Sequence, residues 1–119
     1  IMKLTQLTPN LFVAPQIDEA DLKALAREGF TDVVCNRPDA EHPDGPVSDI
    51  LSVAAAAHGL TFHYQPITHG EPMDAQSDAL AELVSRPKAK ALAYCRSGAR
   101  SAKAWSLVAS QSAPLPAAE

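Results

Sequence analysis

Short apolar runs alternate along this chain with stretches whose apolar residues recur every three or four positions. Leu11-Phe12-Val13-Ala14 reads as a strand stopped by Pro15. Asp18-Glu19-Ala20-Asp21 follows as a helix cap with an acidic first turn, then Leu22, Leu25 and Ala26 at helical spacing, and Gly29 as a stop. Thr31–Cys35 is a second strand, and the prolines and glycine between Asn36 and Pro46 make a loop. Ser48 to His58 reads as a helix capped by Ser48 and ended by Gly59, and Leu60 to Pro66 as a third strand. A loop from Thr68 to Met73 leads into a helix over Asp74–Ser85, with Leu80, Leu83 and Val84 on its apolar face. Ala89–Tyr94 loses its polar alternation after Lys90, as a central strand covered on both faces does. Ser101–Ser110 forms the last helix, with Trp105 and Val108 facing inward, and residues 111–119 form an irregular tail.

Strand and helix thus alternate about four times. The pattern predicts one α/β domain over residues 1–119, a mostly parallel sheet flanked by helices. In such sheets ligands bind beyond the carboxyl ends of the strands. The loops that begin at Cys35, Thr68 and Cys95 would all open there.

Composition narrows the chemistry. Hydrophobic residues make up 46% and aromatic residues 5%, and 22 are alanine, so the core must be packed closely from small side chains. A net charge of −4, with no basic run, argues against nucleic-acid binding. No apolar stretch approaches the roughly 18 residues of a membrane span, and no leader pattern is visible. Ile1 ahead of Met2 reads as a cloning remnant. Two cysteines make no disulfide framework, so a cytoplasmic protein with reduced thiols is expected. His42, His58, His63 and His69 show no metal-ligand spacing, and neither a metal nor a cofactor is expected.

Tyr94-Cys95-Arg96-Ser97-Gly98-Ala99-Arg100-Ser101 is the segment richest in chemistry. An apolar strand ends at a cysteine, a short loop follows, and a helix begins. This order puts the Cys95 sulfur under a helix N-terminus, where unpaired backbone N–H groups point at it. Gly98 permits the positive φ of an anion-binding nest, and Ser97, Ala99 and Ser101 complete the cradle. Arg96 and Arg100 add positive charge, with Arg100, at the helix start, facing the pocket and Arg96 turned outward. Such surroundings commonly lower a thiol pKa from about 8.5 to roughly 3.5–7.5, favouring the nucleophilic thiolate.

The stretch from Cys95 to Arg100 resembles the active-site loop of rhodanese sulfurtransferases. It also resembles the phosphate loop of cysteine-dependent phosphatases, which has one more residue between cysteine and arginine than the four found here. A closer resemblance is to the phosphatase-like domain of beta-lactamase hydrolase-like proteins, related in fold to dual-specificity phosphatases. It is carried by Asn36-Arg37-Pro38-Asp39-Ala40-Glu41 and by Tyr94–Ser101, with a connecting pattern from Leu7-Thr8-Pro9 to Trp105. The resemblance reaches to about Ser110 and implies the cysteine-phosphatase fold with Cys95 as nucleophile.

Other residues are candidates to assist. Arg37, just past a strand end, could add a cation or could pair with Asp39 or Glu41. Cys35 could resolve a persulfide on Cys95 or could be a buried apolar residue. Asp39, Glu41, Glu71 and Asp74 are candidate general acids, and His69 is a candidate base. The leading expectation is transfer of sulfane sulfur through a Cys95 persulfide, because a shorter loop suits a single outer sulfur. The alternative is hydrolysis of phosphate esters through a phosphocysteine, and a third reading is a redox-sensing or anion-binding module. Each implies a small sulfur- or phosphate-bearing anion as ligand. A sulfur-metabolising oxidoreductase or a hydrolase would be the partner, with no role for nucleic acid or membrane.

Overall fold

The computed structural model describes residues 2–43 and 47–112, the side chain of Ser112 excepted. Among these residues five strands and four helices follow in order, alternating after the first strand pair: β1 Thr5–Thr8, β2 Leu11–Ala14, α1 Glu19–Arg27, β3 Asp32–Cys35, α2 Ser48–Ala57, β4 Thr61–Tyr64, α3 Asp74–Ser85, β5 Ala91–Tyr94 and α4 Ala99–Ser112. A single 3-10 turn, Asp39–Glu41, interrupts the β3–α2 loop. The sheet order is β1-β2-β5-β3-β4. All pairs are parallel except β1 with β2. The expected mostly parallel α/β architecture is therefore present.

Strand alternation divides the core into two layers. Ala14, Val33, Cys35, Leu92 and Tyr94 point to one face and pack on Leu22 and Leu25 of α1 and Leu51 and Ala55 of α2. Leu11, Val13, Val34, Ala91 and Ala93 point to the other, against Leu80 and Leu83 of α3 and Ala104 of α4. Every residue of β3 and β5 is buried, as the unbroken apolar run in β5 requires. The small alanines of β5 let helices lie close on both sides of it.

Several expectations need correction. The strand β1 was not expected, because Thr-Gln-Leu-Thr on an exposed edge lacks a strong apolar signal. Strands β3, β4 and β5 are one, three and two residues shorter than the strands expected at Thr31–Cys35, Leu60–Pro66 and Ala89–Tyr94. Helix α4 begins two residues earlier than Ser101 and runs on through Gln111 and Ser112, so the irregular tail does not start at 111. Residues 113–119, Ile1 and the end of the 36–46 loop, including Pro46, lie outside the described residues.

The proposed helix caps divide. Asp18 caps α1 in a reciprocal box with Asp21. Ser48 does not cap α2. It is the first helical residue, and the Asp39 carboxylate, from the preceding loop, accepts both its N–H (2.9 Å) and its hydroxyl (2.7 Å). Asp74 likewise opens α3 as its first residue, with Met73 at the cap position and no side-chain cap bond.

Candidate active site

Because β3, β4 and β5 run parallel, their carboxyl ends deliver Asn36, Gln65 and Cys95 to one edge of the sheet. Cys95 follows the last residue of β5 and is 0% exposed. The chain then turns through Arg96, Ser97 and Gly98 into α4. The Gly98 N–H reaches back to the Cys95 sulfur at 3.1 Å. Gly98 has φ +92°, and a Cβ there would lie 3.3 Å from the carbonyl carbon and oxygen of Ala14. Glycine is thus required twice, for conformation and for the close approach to β2. The Gln16 N–H to the Arg96 carbonyl, at 3.2 Å, fastens the loop to the segment after β2.

Arg100, in the first turn of α4, is 6% exposed. Its Nη1 donates to Glu41 Oε2 (2.8 Å) and to the Ile67 carbonyl (2.7 Å), and its Nη2 donates to Glu41 Oε1 (2.8 Å). A guanidinium has five N–H donors in fixed directions. The contacts use both Nη1 hydrogens and one on Nη2, leaving Nε–H and the second Nη2–H as an adjacent pair with no carboxylate or carbonyl partner, near the Cys95 sulfur. The Arg100 hydrogen bonds, with Arg37 and His69 adding, hold the Glu41 carboxyl below the usual carboxylate range. Glu41 in turn pushes the Arg100 pKa up, and the nearby Cys95 sulfur adds to the effect. Arg100 is therefore a fixed cation beside Cys95.

A second layer holds these groups in place. Asn36, 0% exposed, donates from Nδ2 to the Gln65 carbonyl (2.8 Å) and accepts the Ser101 hydroxyl at Oδ1 (2.8 Å). Ser101 is thus a tie between β3 and α4 and not a helix cap. Arg37 donates from Nη1 to Gln16 (3.2 Å) and from Nη2 to the Glu41 carbonyl (2.7 Å). Its Nε lies 3.6 Å from Glu41 Oε1, an ion-pair distance too long for a hydrogen bond. Arg37 therefore braces Glu41, its expected alternative partner, beside the oxygen that Arg100 Nη2 also binds.

The remaining candidates separate clearly. Arg96 is exposed, as expected. Ser97 is exposed too, and its hydroxyl oxygen accepts the Ala99 N–H (3.3 Å). Asp39 is committed to the start of α2, and its own N–H donates to the Tyr64 hydroxyl (3.1 Å). Glu41 is committed to Arg100, so neither carboxylate is free to serve as a general acid. Glu71 and Asp74 are exposed. Cys35 sits opposite Tyr94 in the register, on the α1/α2 side, and its thiol donates to the Arg37 carbonyl (3.3 Å). Burial pushes the Cys35 thiol pKa up, so it is held as a neutral core residue. His69 is exposed and lines a cleft of about 200 Å³ with Ile67, Thr68, Met73, Arg100 and Lys103. Among the described residues no cluster of His, Cys, Asp or Glu has metal-binding geometry, and no helix is long and apolar enough to cross a membrane.

Sequence reasoning gave no role to Asn36, which it named only within the Asn36–Glu41 motif, and did not single out Gln16 or Lys103. For Asn36 a signal existed, a polar residue ending an apolar strand. For Gln16 there was none, since its partner Arg37 is 21 residues away, and Lys103 is brought to the cleft only by the position of α4 beside the β4–α3 loop.

Comparison with known proteins places this constellation. Residues 3–113 match the model of the beta-lactamase hydrolase-like protein, phosphatase-like domain. The chain belongs to that family. A beta-lactamase hydrolase-like protein of Xylella fastidiosa is 26% identical over 106 residues, which are 89% of this chain and 25% of that protein. The chain thus spans about a quarter of the length of the curated relatives it matches. The solved structure of a candidate phosphatase from Neisseria meningitidis superposes with a TM-score of 0.79 at 30% identity, covering 92% of this chain and 78% of that one. Kinase-associated phosphatase, solved with its catalytic-site cysteine replaced by serine, shares the fold at 17% identity and a TM-score of 0.58, over 74% of this chain and 57% of its own. The phosphatase-like domain described here therefore has the cysteine-phosphatase fold. The family match and the Neisseria structure favour the phosphatase-like alternative over sulfur transfer, against the leading expectation from the loop length.

Proposed function

We propose that this phosphatase-like domain hydrolyses small phosphate esters through a phosphocysteine on Cys95. The observation that carries the reading is the Nε–H and Nη2–H pair of Arg100, which has no oxygen partner and lies near the Cys95 sulfur, on a guanidinium whose other fork is filled by Glu41. An oxyanion bound there would sit against the Cys95 loop, where the first turn of α4 leaves backbone N–H groups without intrahelical partners. Together they form a preorganised cradle for charge on the equatorial oxygens of a phosphoryl group in transfer.

In the first step the Cys95 thiolate attacks phosphorus. The P–S bond forms, the bond to the leaving oxygen breaks, and its electron pair departs with that oxygen. Water then attacks the phosphocysteine, the P–S bond breaks, and phosphate and thiolate are released. With Asp39 and Glu41 both engaged, proton donation to the leaving group is weak, so good leaving groups are favoured. Aryl phosphates should turn over at least about a hundredfold faster than alkyl phosphates, the low end of what general-acid assistance contributes.

One observation favours a second reading, transfer of sulfane sulfur. The loop holds four residues between Cys95 and Arg100, and the sulfur is enclosed, which suits a persulfide with one outer atom. The two are separated by incubating the protein with an aryl phosphate and, separately, with thiosulfate. Phosphate release abolished by Cys95→Ser supports the phosphatase reading. A single added sulfur on Cys95 by mass spectrometry, without phosphate release, overturns it in favour of sulfur transfer.

A further inference from the structure

The cleft beside Arg100 is walled on one side by the β4–α3 loop, with Ile67, Thr68, His69, Gly70 and Met73, and on the other by Ala99, Arg100 and Lys103 of α4. Its charged side chains are all of one kind. Arg100 and Lys103 are cations three residues apart on one helix, His69 faces them, and no carboxylate lines the cleft. Glu41 binds Arg100 through its Nη1 and Nη2 atoms and does not line the cleft. Neither Lys103 nor His69 is in an ion pair among the described residues. In a chain of net charge −4, a concave surface whose charged residues are Arg100 and Lys103, with no carboxylate among its lining residues, is a local departure in sign.

The volume, about 200 Å³, is below the roughly 300 Å³ at which drug-sized ligand sites begin. Ile67 and Met73 give it an apolar side. It would accept a short apolar body, such as one aromatic ring, extending from the group held at Arg100.

We propose that this cleft is a second anion subsite, with Lys103 as the specificity residue. It selects small substrates that carry a further carboxylate or sulfonate one short apolar spacer away from the group transferred to Cys95. This rests on the phosphatase reading for its probes. The physical basis is additive. One anion occupies the free Arg100 pair, and the second lies near Lys103, where a partly enclosed ion pair contributes at the upper end of the exposed range.

The test uses the Cys95→Ser protein, which binds without turnover, and calorimetric titration with phenyl phosphate and its 3-carboxy and 4-carboxy derivatives. At low salt, at least one carboxylated ester should bind about threefold to fivefold more tightly than phenyl phosphate, corresponding to up to about 1 kcal/mol. Adding Lys103→Ala should abolish that ratio while leaving phenyl phosphate affinity within twofold, and Lys103→Arg should keep it. A merely structural Lys103 would shift all esters together. Equal affinity for all three esters, or a ratio that survives Lys103→Ala, overturns the subsite and leaves the phosphatase reading standing. Failure of every ester to bind removes the phosphatase reading and this inference with it.

Discussion

At Gly98 a single hydrogen atom in place of a side chain serves the site in two ways. The positive φ lets the N–H turn back onto the Cys95 sulfur, and the missing Cβ lets the loop touch the Ala14 carbonyl. Gly98→Ala should cost about 1–2 kcal/mol from the left-handed conformation alone. Denaturant unfolding should show the lower midpoint, and aryl phosphate turnover should fall with it. The two arginines should divide sharply. Arg96 is exposed and bonded through its carbonyl only, whereas Arg100 is buried on Glu41 and Ile67. Arg96→Ala should leave turnover within a few fold, and Arg100→Lys should reduce it about a hundredfold or more, since an ammonium cannot hold Glu41 and a second anion in two planar forks. If Arg96→Ala proved the more damaging, the orientation of the loop would be wrong. The sequence already pointed to Cys95, Gly98 and Arg100 because their roles are local, set by a strand end, a loop and a helix start. Glu41 was visible only as a candidate acid or as a partner for Arg37. Its true partner is 59 residues away, a pairing that no local pattern encodes.

At the scale of elements, connections mattered more than the elements themselves. Leu22 and Leu25 of α1, Leu80 and Leu83 of α3, and the buried run of β5 were legible because burial imprints a period on the sequence. The edge strand β1 was not, because it is half-solvated and its partner β2 supplies the apolar side. The start of α2 was misread for a related reason. Ser48 has the composition of a cap, yet its hydroxyl donates to the Asp39 carboxylate, which takes over the capping from outside the helix. Asp39→Ala should therefore lower stability by about 0.5–2 kcal/mol, the range for losing a cap. Turnover of aryl phosphates by the folded fraction should be unchanged. A pH–rate profile that loses its high-pH limb in Asp39→Asn would instead make Asp39 the general acid and remove it from this structural role.

At the scale of the molecule, Glu41 links α4 to the segments that follow β2 and β3. It binds α4 through Arg100 and sits beside Arg37 at the end of β3, and Arg37 reaches Gln16 after β2. Its carboxyl pKa is lowered in the folded protein, chiefly by the Arg100 hydrogen bonds. A group with a depressed folded pKa contributes stability that is fully present above its unfolded pKa, about 4.3 for glutamate. That contribution is lost as pH falls through the folded value, because protonation then costs the native state its ion pair. Glu41→Gln removes the titrating group while keeping the shape. At pH 7 the variant should be the less stable of the two in guanidinium chloride unfolding. Going down from pH 5 to pH 3, the stability of the natural chain should decline more steeply than that of the variant, and the gap should narrow. A gap of constant size over that range would mean that the Glu41–Arg100 bond contributes through geometry alone and that its charge does not couple β3 to α4.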